Sequence, residues 1–571
     1  MKKNFLLLSL TILLICCNTS RNNSSLVPDA FNYSIQKKVI AGNGTVVAAH
    51  PLASKVGVAI LQAGGNAVDA AIATQLALSV VYPIAGNLGG GGFFVAHLGD
   101  GREIAIDFRE TAPASAHRDM YLDSSGTANT DLSQRGQLSS GVPGTVAGLF
   151  AAMQYAKLPF DKLIDPAIEL AENGFVITER EAGTMNDIQD DLVKYNTVRS
   201  VFAKNHPWKT GDTLIQKDLA ATLKRIKEKG AAGFYEGETA RLIVEEMKRG
   251  KGIITYEDLK NYKVRVREPH SFTYKGYKIT GMPMPSSGGL LLHQMMKMIE
   301  PKDIGKMGFQ SPAAIQLMAE VERRAYADRA EYMGDADFYK VPVDALTNEK
   351  YLAERMKDYQ PGQAGTSAVI KPGKLLPYES TETTHFSVMD KDGNAVAVTT
   401  TLNDNYGSRT VVGGAGFFLN DEMDDFSIKP GVPNMYGAVG GEANAIAPGK
   451  RMLSSMAPTI VTKDGRLFMV VGTKGGTTIP TQVFQTLVNI IDFGLSTEDA
   501  VYKLKFHHQW LPDKIDVEEG FSPALIDSLK RMGYVVEPRD PIGRVELIRV
   551  LADGKMEGVA DKRGDDDAEG F

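Results

Sequence analysis

The groups with most chemistry to offer are hydroxyls, carboxylates and one arginine, carried in short polar runs. Glu382-Thr383-Thr384-His385-Phe386-Ser387 follows a Pro/Gly-punctuated stretch, 360–380. The alternation from His385 to Met389 predicts a half-buried strand ending at the turn Lys391-Asp392-Gly393-Asn394. Thr383 therefore stands at a loop-to-strand junction. By itself that position signifies little, because β-branched residues fit strands. A threonine hydroxyl becomes a nucleophile only beside a base, and the α-amine of the chain can be that base when Thr is the first residue. An α-amine titrates near pH ~8, so a useful fraction is free base at neutral pH. In an uncut chain the same nitrogen is an amide, so Thr383 can catalyse only after scission of the Glu382-Thr383 bond.

What gives this run weight is its company. Downstream lie Thr399-Thr400-Thr401-Leu402-Asn403, the acidic Asn420-Asp421-Glu422-Met423-Asp424-Asp425-Phe426, Leu453-Ser454-Ser455-Met456-Ala457-Pro458-Thr459, and Gly475-Gly476. Upstream, Arg109 sits in Asp107-Phe108-Arg109-Glu110-Thr111-Ala112-Pro113. From about Gly44 to the C-terminus this ordered, chemically mixed set resembles the γ-glutamyltranspeptidase family of N-terminal-nucleophile hydrolases, which act on glutathione.

The resemblance implies that Thr383 cuts the chain itself by attacking the Glu382 carbonyl. The products are a large chain, 41–382 after export, and a small catalytic chain, 383–571, that stay together as a heterodimer. It further implies an acyl-enzyme on Thr383, passed to water or to amino-acid and dipeptide acceptors. Gly475 and Gly476 supply oxyanion N–H groups, and Thr401 lies near the nucleophile. Arg109, Ser454 and Ser455 bind the α-carboxylate of the γ-glutamyl group. Glu422 and Asp425 meet its ammonium with help from Asn403, and Tyr436 belongs to a lid loop. No cofactor and no metal are expected. Where the family has Gly-Ser-Pro-Gly-Gly, this chain has Gly472-Thr473-Lys474-Gly475-Gly476. Lys in place of a rigid Pro is expected to loosen the loop and adds a charge near the site.

The 571 residues are 43% hydrophobic and 23% charged with a net charge of −6, an ordinary globular composition without the basic excess that nucleic-acid binding needs. Met1-Lys2-Lys3-Asn4 and the apolar Phe5–Ile15 read as an export signal, and Leu14-Ile15-Cys16-Cys17 resembles a lipoprotein signal with Cys17 lipidated. Segment 1–17 is thus a signal and 18–40 a tether, polar from Asn18 to Ser25. The expected location is periplasmic or cell-surface, through a lipid anchor. Beyond Cys17 there is no cysteine, which excludes disulfides, thiol nucleophiles and thiolate metal sites.

The elements that must position these groups are legible in part. Helices are predicted over Pro51–Gln62 and Ala67–Val80, the second apolar all round and so buried against a sheet. Gly89–Gly92 enters a strand and lacks a following Lys-Ser/Thr, which argues against a phosphate loop. Phe93–Leu98 and Glu103–Phe108 form a hairpin that delivers Arg109. From Val142 to about Tyr351 the pattern is mostly helical, with amphipathic stretches such as Leu219–Lys229 and Ala313–Tyr332. Pro283–Gly289 is explained by turn chemistry. Then come hairpins Thr384–Thr401 and Thr459–Gly472, helices from Pro480 and Pro523, and a closing hairpin about Asp553-Gly554. The pattern alone supports α+β, and the resemblance makes this the four-layer αββα sandwich. His385 and His507-His508 invite a metal reading, but adjacent histidines on a strand face opposite ways and no third ligand is evident. Rival readings are an acylase of glutaryl-cephalosporin type, a poly-γ-glutamate depolymerase, and a non-catalytic binding lipoprotein.

Overall fold

The structure, a computed structural model, describes residues 26–373, 384–429, 431–435, 437 and 441–571. Two seven-stranded antiparallel sheets form its centre. In spatial order the first contains Lys38–Ala41, Met556–Ala560, Arg544–Val550, Arg466–Lys474, Thr459–Lys463, Tyr277–Gly281 and His270–Tyr274. The second contains Asp567–Gly570, Gly44–Ala48, Thr384–Asp390, Ala395–Thr401, Gly91–His97, Glu103–Asp107 and Arg265–Arg267.

Alternation along the strands sends one set of side chains between the sheets. Val47, Phe93, Val95, Met389 and Ala397 from one face meet Ile460, Val470, Ile548 and Ala560 from the other, all fully or nearly fully buried. On the outer face of the second sheet lie the helices Pro51–Gln62, Ala67–Val81 and Phe160–Asn173. On the outer face of the first lie Gly288–Ile299, Pro312–Tyr332 and Thr478–Ile491. The architecture is therefore αββα. Local chemistry starts the helices: Asn66 and Asp69 form a capping box, and Ser311 and Ser522 cap helices whose first residue is proline.

Several elements depart from the sequence reading. The hairpin His270–Tyr274/Tyr277–Gly281 interrupts the helical middle of the chain, turning at Lys275-Gly276 with φ of 47° and 82°. Its alternation and Lys-Gly turn were a readable signal, masked by the helices on either side. Within the segment expected to be a tether, 18–40, the last residues are not loose: Lys38–Ala41 pairs with Met556–Ala560 and forms a sheet edge. The hairpin about Asp553-Gly554 does not close the chain: Asp567–Gly570 returns to pair with Gly44–Ala48. An acidic run makes a poor strand by propensity, and here the pairing partner overrides it. Helix Thr478–Ile491 begins two residues before Pro480. Helix Pro312–Tyr332 is not amphipathic: Glu320, Glu322, Arg323, Arg324, Asp328 and Arg329 are all buried, because loops and the helix Thr478–Ile491 cover the face that solvent would otherwise reach.

Ile460 fills the space between the sheets and has no room to relax around a cavity. Ile460→Ala should cost about 2–5 kcal/mol, read as a lower denaturant midpoint with unchanged slope. A loss below about 1 kcal/mol contradicts this account of the inter-sheet core.

Candidate active site

Thr384–Asp390 and Ala395–Thr401 pair with Thr384 opposite Thr400, and Thr401 in turn faces Gly91. One end of the second sheet therefore gathers Thr384, Thr401 and the Gly89–Gly92 run. The run is there for close approach: a Cβ on Gly90 would lie 1.9 Å from the Thr401 carbonyl oxygen, and one on Gly89 would lie 2.1 Å from that of Phe418. Asn87 clamps the same strand end, donating to the Thr401 carbonyl at 2.8 Å and accepting from Gly90 N–H and the Thr145 hydroxyl. The first sheet joins at His385, whose ring occupies the space that a side chain on Gly472 would need. Thr383, Glu382, Tyr436 and Cys17 lie outside the described residues.

The Glu103–Asp107 strand delivers Arg109 into full burial. Its Nη1 is 2.6 Å from Glu422 and 3.6 Å from Glu110, its Nη2 pairs with Asp425, and Nε and Nη2 donate to the Met452 and Leu453 carbonyls at 3.3 Å. Burial alone would lower the Arg109 pKa, but Glu422 and Asp425 outweigh it and hold the guanidinium more firmly charged than usual. The carboxylates move the other way. Burial pushes Glu110 well above the usual range, with Glu422 adding to it, and does the same to Asp425 against the pull of Arg109. Glu422 is also raised by burial, with Arg109 and the Thr401 hydroxyl opposing. One guanidinium cannot hold three buried carboxylates ionised, so the cluster either retains protons or takes up a second cation.

The neighbouring loops are pinned to this cluster. Asn403, with φ of 77°, donates its N–H to the Thr401 hydroxyl oxygen at 2.7 Å and its side-chain amide to the Asp421 carbonyl at 3.0 Å. Asn420 accepts from the N–H groups of Glu422 and Gly141 and donates to the carbonyls of Gly89 and Gly141. Asn444 donates to the Asp425 carbonyl and accepts from Leu453 N–H, tying the acidic loop to the serines. Ser454 and Ser455 are fully buried. The Pro283–Gly289 run proves to be their support, since Ser287 gives both its N–H and its hydroxyl to the Ser454 carbonyl, at 2.7 and 2.8 Å. Sequence reasoning missed Glu110, Asn87, Asn420, Asn444 and Ser287. Glu110 adjoins Arg109, and an acid beside a selected arginine was a usable signal; the asparagines carried none.

Gly475 and Gly476 form the turn from strand Arg466–Lys474 into helix Thr478–Ile491, with φ of 133° and 60°. Their N–H groups have no acceptor among the described residues, whereas their carbonyls accept from Thr478 and Ile479 N–H. The turn thus presents two donors at a helix N-terminus, a favourable place for an anion. The expected looseness from Lys474 is offset by a local network: Thr478 Oγ1 donates to the Gly475 carbonyl at 2.6 Å and accepts from Gln482 at 2.6 Å, and Thr473 Oγ1 donates to the Lys474 carbonyl.

The histidines serve packing. Burial lowers His385 to about 3, and its ring nitrogens contact Thr399 and Ser387; His507 is also lowered to about 3 by burial and contacts Thr481 and Gln509. Among the described residues no group of three or more His, Cys, Asp or Glu is placed to hold a metal.

Residues 53–571 match the family model described as gamma-glutamyltranspeptidase. The chain belongs to this family. It is 47% identical to a glutathione hydrolase proenzyme of Escherichia coli strain K12 over 94% of both chains. It is 36% identical to an acylase ACY 1 proenzyme of Pseudomonas sp. strain SE83 over 94% of this chain and 96% of that one. Its fold superposes on the crystal structure of a cephalosporin acylase from Bacillus halodurans with a TM-score of 0.83 and 26% identity, covering 95% of this chain and 99% of that one. Family members of two activities therefore share this architecture, and the site residues must distinguish them.

At Gly475 a side chain meets both backbone strain and a collision, its Cβ falling 2.5 Å from Thr478 Oγ1; at Gly64, with φ of 95°, the space is open. Positive-φ strain costs about 1–3 kcal/mol. Gly475→Ala should therefore lower the denaturation midpoint more than Gly64→Ala, and equal shifts would show that the turn is slack.

Proposed function

We propose that this chain is the proenzyme of a γ-glutamyltransferase that cleaves the γ-glutamyl bond of glutathione and related compounds. The observation that carries this reading is the buried cluster of Arg109 with Glu110, Glu422 and Asp425. A γ-glutamyl end brings one carboxylate and one ammonium. It can enter by exchanging protein ion pairs for ligand ones: Arg109 turns to the carboxylate, and Glu422 and Asp425 to the ammonium. A glutaryl end brings a carboxylate alone and has no ammonium with which to hold Glu422 and Asp425 ionised once Arg109 turns away, which disfavours the acylase reading.

Maturation is an internal acyl shift. The Thr383 hydroxyl adds to the Glu382 carbonyl, the peptide C–N bond breaks to free the Thr383 amine, and water hydrolyses the ester. This leaves a chain ending at Glu382 and one of 571 − 382 = 189 residues. In turnover the freed amine takes the Thr383 hydroxyl proton as Oγ attacks the γ-carbonyl. The Gly475 and Gly476 N–H groups meet the oxyanion. The leaving amine departs with the proton, and water or an acceptor amine releases the glutamyl ester. Thr401 and Asn403 fix the strand end beside the nucleophile, and the loop bearing Tyr436 excludes water. Its described part reaches the site, with Met435 N–H donating to Asp424.

Thr383→Ala should run as one band on a denaturing gel and be inactive. Arg109→Ala should still split in two, yet lose about 10²-fold or more in kcat/KM on a γ-glutamyl anilide, mainly through KM. Failure of Arg109→Ala to mature, or an undiminished kcat/KM, would return Arg109 to a structural role.

We also propose export with lipidation at Cys17, supported by the apolar run before it and the polar residues after it. No helix among the described residues is long and apolar enough to cross a membrane. Expressed in a lipoprotein-competent bacterium, wild type should partition with membranes and Cys17→Ser should not. Identical partitioning of the two contradicts lipidation.

A further inference from the structure

Arginine is always protonated inside proteins, so a buried one needs a counter-charge. Among the described residues seven arginines are buried, and six have a carboxylate within 4.0 Å: Arg109, Arg323, Arg324, Arg409, Arg451 and Arg544. Arg329 has none among the described residues, although it is only 1% exposed. Its neighbour Asp328 is engaged elsewhere, with Arg355, Gln294 and Gly373 N–H.

The guanidinium of Arg329 is aimed at the two serines. Nη2 donates to Ser455 Oγ at 2.9 Å, and Nε donates to Ser287 Oγ at 2.9 Å. Ser287 Oγ in turn donates to the Ser454 carbonyl at 2.8 Å. Ser455 Oγ therefore accepts from a cation. A cation behind a hydroxyl makes the hydroxyl proton a better hydrogen-bond donor and adds attraction for any anion in front. One turn earlier on the same helix, the Tyr326 hydroxyl donates to the Thr477 carbonyl, next to Gly476, and its ring lies 5.9 Å from the Arg329 guanidinium carbon. Helix Pro312–Tyr332 therefore braces the serine loop and the Gly475-Gly476 turn together.

We infer that Arg329 is a positioning residue for donor binding, a buried cation whose missing counter-charge is the α-carboxylate of the γ-glutamyl donor, felt through Ser455 and Ser454. This rests on the γ-glutamyl reading above, and turnover of γ-glutamyl anilide by the wild type tests that reading before any Arg329 variant is made. Arg109 and Arg329 then both serve the 452–455 loop, Arg109 through the Met452 and Leu453 carbonyls and Arg329 through the Ser455 hydroxyl.

The test compares wild type, Arg329→Gln and Arg329→Lys after confirming autocleavage on a gel. Two anilide donors are used: γ-glutamyl, and 4-aminobutyryl, which keeps the ammonium but lacks the α-carboxylate. Competitive inhibition by L-glutamate and by 4-aminobutanoate gives the same comparison without turnover. Arg329→Gln should lose about 10- to 10²-fold in kcat/KM on the γ-glutamyl donor, chiefly in KM, and its preference for L-glutamate over 4-aminobutanoate should narrow by a similar factor. Arg329→Lys keeps the charge and should recover most of that preference. Equal losses on both donors and both inhibitors would overturn the inference. So would a Lys variant as indiscriminate as Gln, or failure of both variants to mature, since each assigns Arg329 to the fold alone.

Discussion

A guanidinium with no access to water, held by Glu422, Asp425 and Glu110, is the interaction on which the rest of the site depends. It joins the end of one strand to the acidic loop 421–425 and, through the Met452 and Leu453 carbonyls, to the serine loop. Three segments far apart in sequence meet on one side chain. Such a cluster is expensive to bury, and it holds more carboxylates than Arg109 alone can keep ionised. A site of this kind is poised for a zwitterion, because the ligand supplies the missing cation and offers Arg109 a new partner.

The sandwich makes that cluster possible by bringing strand ends together while keeping the space between the sheets dry. Asn87, Asn420 and Asn444 then fasten the loops to strand ends through buried amide hydrogen bonds. Each amide satisfies backbone groups that would otherwise be stranded, so the loops are fixed without recourse to regular secondary structure. The glycines at 89 and 90 belong to the same arrangement, since their missing side chains let the backbone of Phe418 and of Thr401 approach.

Helix Pro312–Tyr332 has a comparable part on the opposite flank. Its buried charged residues reach Ser455, the segment 367–373, and the loop that contains Trp510 and Asp513. The helix is thus less a layer of hydrophobic packing than a rigid bar from which polar groups are hung. The same feature explains why an amphipathic reading of this stretch fails: the charges face partners inside the protein rather than water.

Much was determined by sequence alone. The alternating strands around 384–401 and 459–472, the buried apolar helix 67–81, the Asp-Gly turns and the proline-started helices all follow from local propensity and periodicity, which are properties of neighbouring residues. The selection of Arg109, Thr401, Asn403, Glu422, Asp425, Ser454, Ser455, Gly475 and Gly476 came from ordered motifs, and the structure brings the strand end, acidic loop, serine loop and glycine turn to one end of the sandwich. Only tertiary structure decided that Lys38–Ala41 and Asp567–Gly570 are strands, because each is a short run that depends on a distant partner, and in Asp567–Gly570 that partner outweighs poor propensity. It alone decided that Arg109 and its acids lie in contact, that Lys474 leads into a turn stiffened by Thr478 and Gln482, and that Arg329 is buried without a counter-ion among the described residues. Burial and pairing between residues hundreds of positions apart leave no trace in local pattern, and the electrostatics of a site are made of little else.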